Sequence, residues 1–334
     1  MRGERVFRAS APVRLDFAGG WTDVAPFAVE EGGVVVNAAI ELRAHADVEP
    51  GGSDFLLQAD DLGRQTQVRG GSWTAEQTAG FALQKAALQR SGMAGAVLRT
   101  RSDVPAGSGL GSSGALGVAL VAALDAARGV RRNPSELAEA AFQLEAIDAA
   151  LPGGKQDQYA AALGGFHRLG FQGGRVEVHP LALDAAIRTA LQERIVVCYT
   201  GTSRVSSKTI ARVMSAYAAN DATVVAALRG MVELAERMAE ALSAGDLATV
   251  GRLLSRNWGH QQQLDHGIRT EDMARLEAAM QEAGVLGGKA AGAGAGGSMF
   301  FLAADNPREA TRAAEAVGAR VLPFRWAEEG VKTW

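Results

Sequence analysis

Residues 104–120 read VPAGSGLGSSGALGVAL, a stretch rich in glycine and serine that leads into an alanine-rich segment. The residues before it, GAVLRTRS, alternate as in a strand, and the pattern after it predicts a helix from about Ser113 to Ala127. Glycines let backbone N–H groups turn toward an anion, and the N-terminus of a helix carries about half a positive charge. Strand, glycine–serine loop and helix therefore favour a triphosphate site, although a tight connection of small residues would show the same pattern.

Two familiar glycine motifs do not account for this stretch. Residues 109–114 and 292–297 both match G-x-G-x-x-G. A dinucleotide fold also needs a second strand and an acid about 20 residues further on. Glu136 has roughly that spacing from the first match, but it opens a predicted helix and no strand intervenes. The G-x-x-x-x-G-K-[ST] pattern of a P-loop does not occur in the sequence.

Composition and charge narrow the class of protein. Of the 334 residues, 47% are hydrophobic and 21% charged, which excludes a disordered chain. The net charge of −3 with scattered basic residues argues against nucleic acid or a membrane surface as partner. The single cysteine, Cys198 in RIVVCYTG, is expected in a buried strand, and the first residues lack the apolar core of a signal peptide. We expect a cytoplasmic protein, and a homo-oligomer is compatible with the sequence.

The order of predicted elements indicates an α+β fold with two domains. Strands dominate the first third, and helices and strands are mixed after that. We predict an N-terminal domain over residues 1–180 and a C-terminal domain over 181–334, with the boundary somewhere between 163 and 193. The longer helices are predicted over residues 74–91, 133–149, 207–243 and 247–262, the second of them with a capping box at Asn133 and Glu136.

Three blocks of the sequence together resemble the GHMP kinases, the superfamily of galactokinase, homoserine kinase, mevalonate kinase and phosphomevalonate kinase. VPAGSGLGSSGAL is similar to their P-x-x-x-G-L-G-S-S-A-A motif. APVRLDFAGGWTD, from Ala11, and GGKAAGAGAGGSMFF, from Gly287, are similar to the first and third motifs. The resemblance runs from about Ala11 to Trp334, and it implies a two-domain ATP-dependent kinase with its active site in the cleft between the domains.

Within the superfamily, AGGWTDVAPFAVEEGGVVVNAAI, PGGKQDQYAAALGGF and YTGTSRVSSKTI most resemble bacterial D-glycero-D-manno-heptose 7-phosphate kinases. The kinase part of L-fucokinases is one step further off. Three positions depart from the motifs: Trp21 replaces a glycine, Gly114 stands where alanine or another small residue is usual, and Ala295 interrupts the third motif. Trp21 lies beside the residues implied to bind the sugar, so it affects the choice of substrate more than the reaction.

The resemblance also implies a role for each matching residue. Asp157 in GGKQDQY is expected in a loop, as the acid that faces the acceptor hydroxyl and deprotonates it, and Arg14 in APVRLDF would pair with Asp157. The neighbouring Asp16 is expected to be structural. The ATP phosphates would be held by Pro105, Gly107, Gly109, Leu110, Gly111, Ser112, Ser113 and Gly114.

Metal and substrate residues follow from the same comparison. Mg²⁺ takes oxygen ligands, and the resemblance implies Ser113 and Glu145. The acceptor side is expected to include Gly20, Thr22, Asp23, Lys155, Gly294 and Gly296. A phosphate on the acceptor would need cations, for which the candidates are Lys155, Arg204 and Lys208.

The prediction is thus a Mg²⁺- and ATP-dependent kinase for the anomeric hydroxyl of a heptose 7-phosphate. A kinase for a free sugar such as L-fucose or another hexose is the alternative. A non-catalytic sensor of sugar and ATP, and a mevalonate- or homoserine-type kinase, are further alternatives. Each site residue also has a structural reading, such as a loop-capping Asp157 or a solvent-facing Glu145.

Overall fold

The computed structural model describes residues 5–76, 78–201 and 206–334, and in these residues helices pack against two β-sheets. In chain order the strands are β1 (Phe7–Ala18), β2 (Gly33–Pro50), β3 (Phe55–Ala59), β4 (Arg64–Val68), β5 (Ala96–Ser102), β6 (Phe166–Gln172), β7 (Arg175–Pro180), β8 (Ile195–Tyr199), β9 (Val285–Ala290), β10 (Ser298–Ala303), β11 (Arg320–Val321) and β12 (Lys332–Thr333). The helices are α1 (Phe27–Glu30), α2 (Ala82–Ser91), α3 (Ser112–Arg128), α4 (Pro134–Phe142), α5 (Gln156–Leu163), α6 (Ala185–Arg194), α7 (Ser206–Ala218), α8 (Ala222–Ala244), α9 (Leu247–Leu264), α10 (Glu271–Glu282) and α11 (Pro307–Ala316).

The first sheet is organised around the long strand β2. Its residues 33–38 pair with β6, and its residues 44–50 pair with β5, which also pairs in parallel with β3. Strand β1 runs antiparallel to β2 along its other edge. Helix α3 packs against β1 and β2, and it buries Ala115, Val118 and Ala119 completely, one apolar face at helical spacing.

The second sheet has the order β11-β8-β10-β9, and each of its pairs is antiparallel. Cys198 lies fully buried in β8, as expected, and burial raises the pKa of its thiol to about 12. The two sheets with their helices form a two-domain α+β fold, which confirms the predicted fold class. Strand β12 returns to pair with β1 of the first sheet, and the division at residue 180 stays a prediction.

Two predicted helices are shorter than expected because of left-handed residues. The helix over 207–243 is interrupted between α7 and α8, where Asn220 has φ +58° and the Asp221 side chain caps the next helix. The helix over 74–91 begins only at Ala82, directly after Gly80 (φ +82°) and Phe81. No helix in the described part of the chain combines the length and apolar character that crossing a bilayer requires.

Two local corrections concern the candidate site itself. The capping box of Asn133 and Glu136 is present, but α4 ends at Phe142 and continues as the π-helical segment Gln143–Asp148, which contains Glu145. Wide π-turns of this kind occur frequently at functional sites. Asp157 was expected in a loop but lies in the first turn of α5. Its side chain is therefore held by a helix that packs against α3.

Candidate active site

A cleft of about 220 Å³ lies where the two domains meet. The first domain contributes β1, the loop before α3 and the start of α5, and the second contributes Ile210 of α7 and residues 292–293. Several predicted site residues line it together: Arg14, Gly20, Asp23, Gly107, Gly109, Gly111, Ser112, Ser113, Glu145 and Asp157. Residues that are 278 positions apart in the chain are thus brought to one cavity, from Arg14 to Gly292.

The glycine–serine loop ends as the N-terminus of α3. Gly111 is the N-cap residue with φ +78°, a conformation that favours glycine, and no side chain caps the helix. The backbone N–H groups of the first turn, which includes Ser112 and Ser113, therefore lack intrahelical partners. A Cβ at Gly111 would lie 3.0 Å from the carboxyl carbon of Asp157. The anion-binding end of the helix and the Asp157 carboxylate are direct neighbours.

The second glycine loop, residues 291–297, packs its backbone against the first. The Ser298 N–H donates to the Ser108 carbonyl at 2.7 Å. A Cβ at Gly292 would lie only 2.4 Å from the Gly109 carbonyl oxygen, so only glycine allows this approach. The glycine loop from the second domain therefore packs directly on the glycine–serine loop of the first.

Arg14 joins both glycine loops to Asp157. Its Nε donates to Asp157 Oδ1 at 2.8 Å, and its Nη2 lies 2.7 Å from the same oxygen. Its Nη1 donates to the carbonyls of Gly109 and Ala291, both at 2.8 Å. Arg14 is 4% exposed, so the predicted pairing with Asp157 is present in a largely buried form. The guanidinium has little freedom, and it orients the carboxylate toward the cleft.

Two further carboxyl groups in the cleft have raised pKa values. Burial, together with the nearby Asp157 charge, raises the pKa of Glu145 to about 7, although hydrogen bonds with Ser113 and Gln158 lower it. Burial raises the pKa of Asp23 to about 6, with smaller contributions from Asp157 and Asp16 and an opposing hydrogen bond from the Gln156 backbone. Acidic groups crowded into a cleft without a compensating charge are typical of a site that binds cations or hydroxyl groups.

Asp23→Asn is expected to stabilise the protein at neutral pH. An unfolded aspartate has a pKa of 3.8, so between pH 4 and 6 the folded state keeps a proton that the unfolded state has released. Stability therefore falls as pH rises through this window, and asparagine removes that loss, which is about 1–3 kcal/mol at pH 8. Thermal unfolding at about pH 4 and pH 8 would measure it. Exposed Asp60→Asn is the control, and an equal gain at both pH values would contradict the expectation.

One wall of the cleft is apolar. Trp21, Val24 and Ile210 contribute the apolar side chains. Trp21 is 5% exposed and has φ +86°, a left-handed conformation that is strained for any residue with a Cβ. Trp21 therefore lines the cleft, and its bearing on the acceptor rather than on the reaction stays a prediction.

Some predicted site residues lie outside the cleft. Lys155 does not line the cavity and its Nζ donates to Glu139 and to the Gly174 carbonyl at 2.9 Å, so its contact with the acceptor stays a prediction. The Thr22 hydroxyl is fully buried and binds the backbone of Gly19 and Val34. The other predicted residues that do not line the cleft are Pro105, Leu110, Gly114, Lys208, Gly294 and Gly296. Arg204 lies outside the described residues.

Several cleft residues were not singled out from the sequence. Asp16, expected to be only structural, lines the cavity, and so do residues 152–154, Gln156, Gln158 and Ala293. Gln156 and Gln158 flank Asp157, and their amides hold Asp23 and Glu145. The alternation of Gln, Asp and Gln in the quoted motif is the signal from which these neighbours could have been predicted.

Comparison with known proteins agrees with this geometry. The model of the GHMP kinases N terminal domain matches residues 77–165, and that of the GHMP kinases C terminal matches residues 238–322, together just over half of the chain. A D-glycero-alpha-D-manno-heptose 7-phosphate kinase of Campylobacter jejuni is 28% identical over 99% of both chains. A bifunctional fucokinase/GDP-fucose pyrophosphorylase of Arabidopsis thaliana is 29% identical over 90% of this chain and 31% of that longer protein. The crystal structure of a D-glycero-D-manno-heptose 1-phosphate kinase from Bacteroides thetaiotaomicron has a TM-score of 0.81, with 27% identity over 98% of both chains.

The two-domain α+β fold, the family models and the kinases among the relatives together identify the chain as a phosphotransferase, and the site that goes with them has two apposed glycine loops and a part-buried arginine–aspartate pair. The chain belongs to the GHMP kinase family.

Proposed function

We propose that this protein is a Mg²⁺- and ATP-dependent sugar kinase that phosphorylates an anomeric hydroxyl, with D-glycero-D-manno-heptose 7-phosphate as the first candidate acceptor. The observation that carries the proposal is the placement of the Arg14–Asp157 pair directly beside the N-terminus of α3. Phosphoryl transfer needs positioned phosphates, a group that accepts the hydroxyl proton and a cation near the developing charge. The heptose phosphate kinases among the relatives support the choice of acceptor.

Each group has one step in this reaction. The backbone N–H groups around Ser112 and Ser113 bind the phosphates of ATP. Asp157 accepts the proton of the anomeric hydroxyl of the sugar. The hydroxyl oxygen forms a bond to the γ-phosphorus of ATP, the bond from that phosphorus to the β,γ-bridging oxygen breaks, and ADP leaves. Arg14 holds the carboxylate in place and stabilises negative charge on the transferred group.

Ser113 and Glu145 would hold Mg²⁺. Hydroxyl and carboxylate oxygens suit this ion, and burial, with the nearby Asp157 charge, raises the pKa of Glu145, an environment that a bound cation would relieve. Among the described residues no group of three or more His, Cys, Asp or Glu could hold a metal ion, and Mg²⁺ would take its other ligands from phosphates and water. When bound, Mg²⁺ neutralises charge on the β- and γ-phosphates.

The nucleoside of ATP would occupy a second cavity of about 290 Å³ next to the cleft. It shares Gly107, Ser112 and Ser113 with the cleft, so one bound nucleotide could extend along the loop and occupy both cavities. Its remaining wall includes the apolar residues Leu83 and Leu116. An apolar pocket beside a phosphate site is suited to a purine ring.

A free sugar is the second candidate acceptor, and one observation favours it. Among the described residues that line the cleft, Arg14 is the only lysine or arginine, and most of its N–H groups are directed at Asp157 and two carbonyl oxygens. A 7-phosphate would therefore depend on Arg204 or on Lys208, which is exposed at the start of α7. The apolar wall with Trp21 would suit an uncharged part of the acceptor equally well.

A panel of acceptors tests the proposed function. Purified protein with Mg-ATP would be given D-glycero-D-manno-heptose 7-phosphate, the free heptose, L-fucose, other hexoses and mevalonate, and ³¹P NMR would detect an anomeric phosphate. We expect turnover of the heptose 7-phosphate, and a loss of preference for it over the free heptose in Arg204→Ala/Lys208→Ala. Turnover of only free sugars would favour the second candidate, and no turnover of any sugar would contradict the proposed function.

Gly114→Ala is expected to damage both stability and catalysis. A Cβ at Gly114 would lie 2.6 Å from Asp157 Cβ, so the methyl group would force α3 and α5 apart. We expect a loss of about 1–3 kcal/mol in stability and a fall in kcat of about tenfold. Gly117→Ala, one turn further along the same helix, is the control, because its Cβ would have 3.6 Å to its nearest neighbour. Equal effects of the two substitutions on kcat would contradict the steric explanation.

A further inference from the structure

Lys289 is a fully buried lysine whose charge has one partner. It lies in β9 at 0% exposure, whereas lysine is almost never fully buried unless it is paired. Its Nζ donates three hydrogen bonds of 2.8 Å, to the Asp16 carboxylate, the Asp16 carbonyl and the Ala290 carbonyl. All three donors of the ammonium group are therefore satisfied.

The pair joins the two domains directly behind the candidate active site. Asp16 belongs to β1 of the first sheet, two residues after Arg14, and Lys289 belongs to β9 of the second sheet. Two residues after Lys289, the Ala291 carbonyl accepts the hydrogen bond from Arg14 Nη1. The ion pair and the hydrogen bond therefore join the same two segments of the chain, two residues apart on each segment. Moving β9 away from β1 would displace Arg14.

The Asp16 side chain is confined from its other side as well. It is 2% exposed, and a Cβ on Gly20 would lie 2.1 Å from its Oδ2, so this part of the cleft wall is built around the carboxylate. Its second oxygen, Oδ1, is buried and has no hydrogen-bond partner among the described residues. An ion pair that leaves a buried acceptor unsatisfied is a poor way to gain stability, since apolar replacements of buried pairs are often neutral or stabilising.

We propose that Lys289 and Asp16 are positioning residues for phosphoryl transfer: their ion pair holds the second glycine loop against β1, and thereby holds Arg14 in register with Asp157. The inference rests on the proposed kinase function. In this role the second glycine loop does more than approach the phosphates. It also makes the position of Arg14 and Asp157 depend on the position of the second domain. Neither Lys289 nor Asp16 need touch ATP for this role.

Three variants of the pair and one control test the inference. In Lys289→Met and Asp16→Asn we expect kcat at saturating substrates to fall by about 100-fold, because a shift of about 1 Å at the reacting groups suffices for such a loss. The KM for ATP should stay within about threefold of the wild-type value. Asp16→Leu/Lys289→Met should recover the Tm and leave kcat low. Arg168→Met is the control. It removes another ion pair between the domains, which joins Arg168 to Glu236 at 2.7 Å outside the cleft, and it should lower the Tm without changing kcat.

Each outcome decides the question. In these kcat measurements the acceptor substrate would be the member of the acceptor panel that the wild-type protein phosphorylates fastest. Wild-type kcat in Lys289→Met, or recovery of kcat with the Tm in the apolar double variant, would show a purely structural pair and overturn the inference while leaving the kinase function intact. If Lys289→Met does not fold, Asp16→Asn, which keeps the shape of the side chain, decides in its place. A wild-type protein without turnover would overturn the proposed function and the inference with it.

Discussion

Asp157→Asn is expected to lower kcat by about 10²–10⁴-fold, the range that general-base catalysis contributes. Asparagine keeps the size of the side chain, and its carbonyl oxygen can still accept the hydrogen bond from Arg14. It cannot take a proton from the acceptor hydroxyl. Because the proposed function assigns the phosphates to the loop and to α3, we expect the KM for ATP to change by no more than about threefold. The loss should therefore appear in the chemical step.

Single-turnover measurements would separate that step from product release. Asp148→Asn is the matched control, since Asp148 also pairs with an arginine, Arg90, at 2.7 Å but lies on the surface outside the cleft. The control should keep wild-type kcat. Undiminished turnover by Asp157→Asn would exclude Asp157 as the base, and bound ATP without turnover in the wild-type protein would favour a sensor of sugar and ATP instead.

The part of the site that depends on local sequence could be predicted. The glycine–serine loop and α3 follow from residues that are adjacent in the chain, and the helix begins at Ser112, within one residue of the prediction. Gly111 as an N-cap with positive φ is a local requirement too. The pairing of Arg14 with Asp157, 143 residues apart, was available only from the resemblance to a family.

Side-chain direction was not available from the motif. Lys155 stands in the quoted stretch GGKQDQY two residues before Asp157, yet its side chain contacts Glu139 on α4 and does not line the cleft. Thr22 stands beside Asp23, yet its hydroxyl fixes the turn that presents Asp23. Membership of a motif therefore identified the segment that builds the site, and tertiary contacts decided which of its side chains enter the cleft.

The Lys289–Asp16 pair shows the same limit for long-range contacts. The two residues are 273 positions apart. Each is a charged residue whose immediate neighbours are apolar or small, in GKA and LDF, which indicates a partner without identifying it. Only the packing of the two domains reveals that the partners are each other.

Arg14→Lys is expected to lower kcat by about 10³-fold, close to the effect of losing the base. Lysine keeps the positive charge, but one ammonium group cannot hold Asp157 and also bridge the carbonyls of Gly109 and Ala291. The carboxylate would lose its orientation, and both glycine loops would lose a shared donor. Preorganised charge of this kind is typically worth about 10²–10³ in kcat for each donor.

Combining this change with Asp157→Asn distinguishes a shared role from two separate ones. If Arg14 acts mainly by orienting Asp157, the kcat of the double variant should lie within about threefold of the kcat of the slower single variant. The effects of residues that act as a unit are not additive. Arg90→Lys, at the surface pair with Asp148, is the control and should leave kcat unchanged. A double variant slower by the full product of the two single effects would show that Arg14 stabilises the transferred phosphoryl group independently of the carboxylate that it holds.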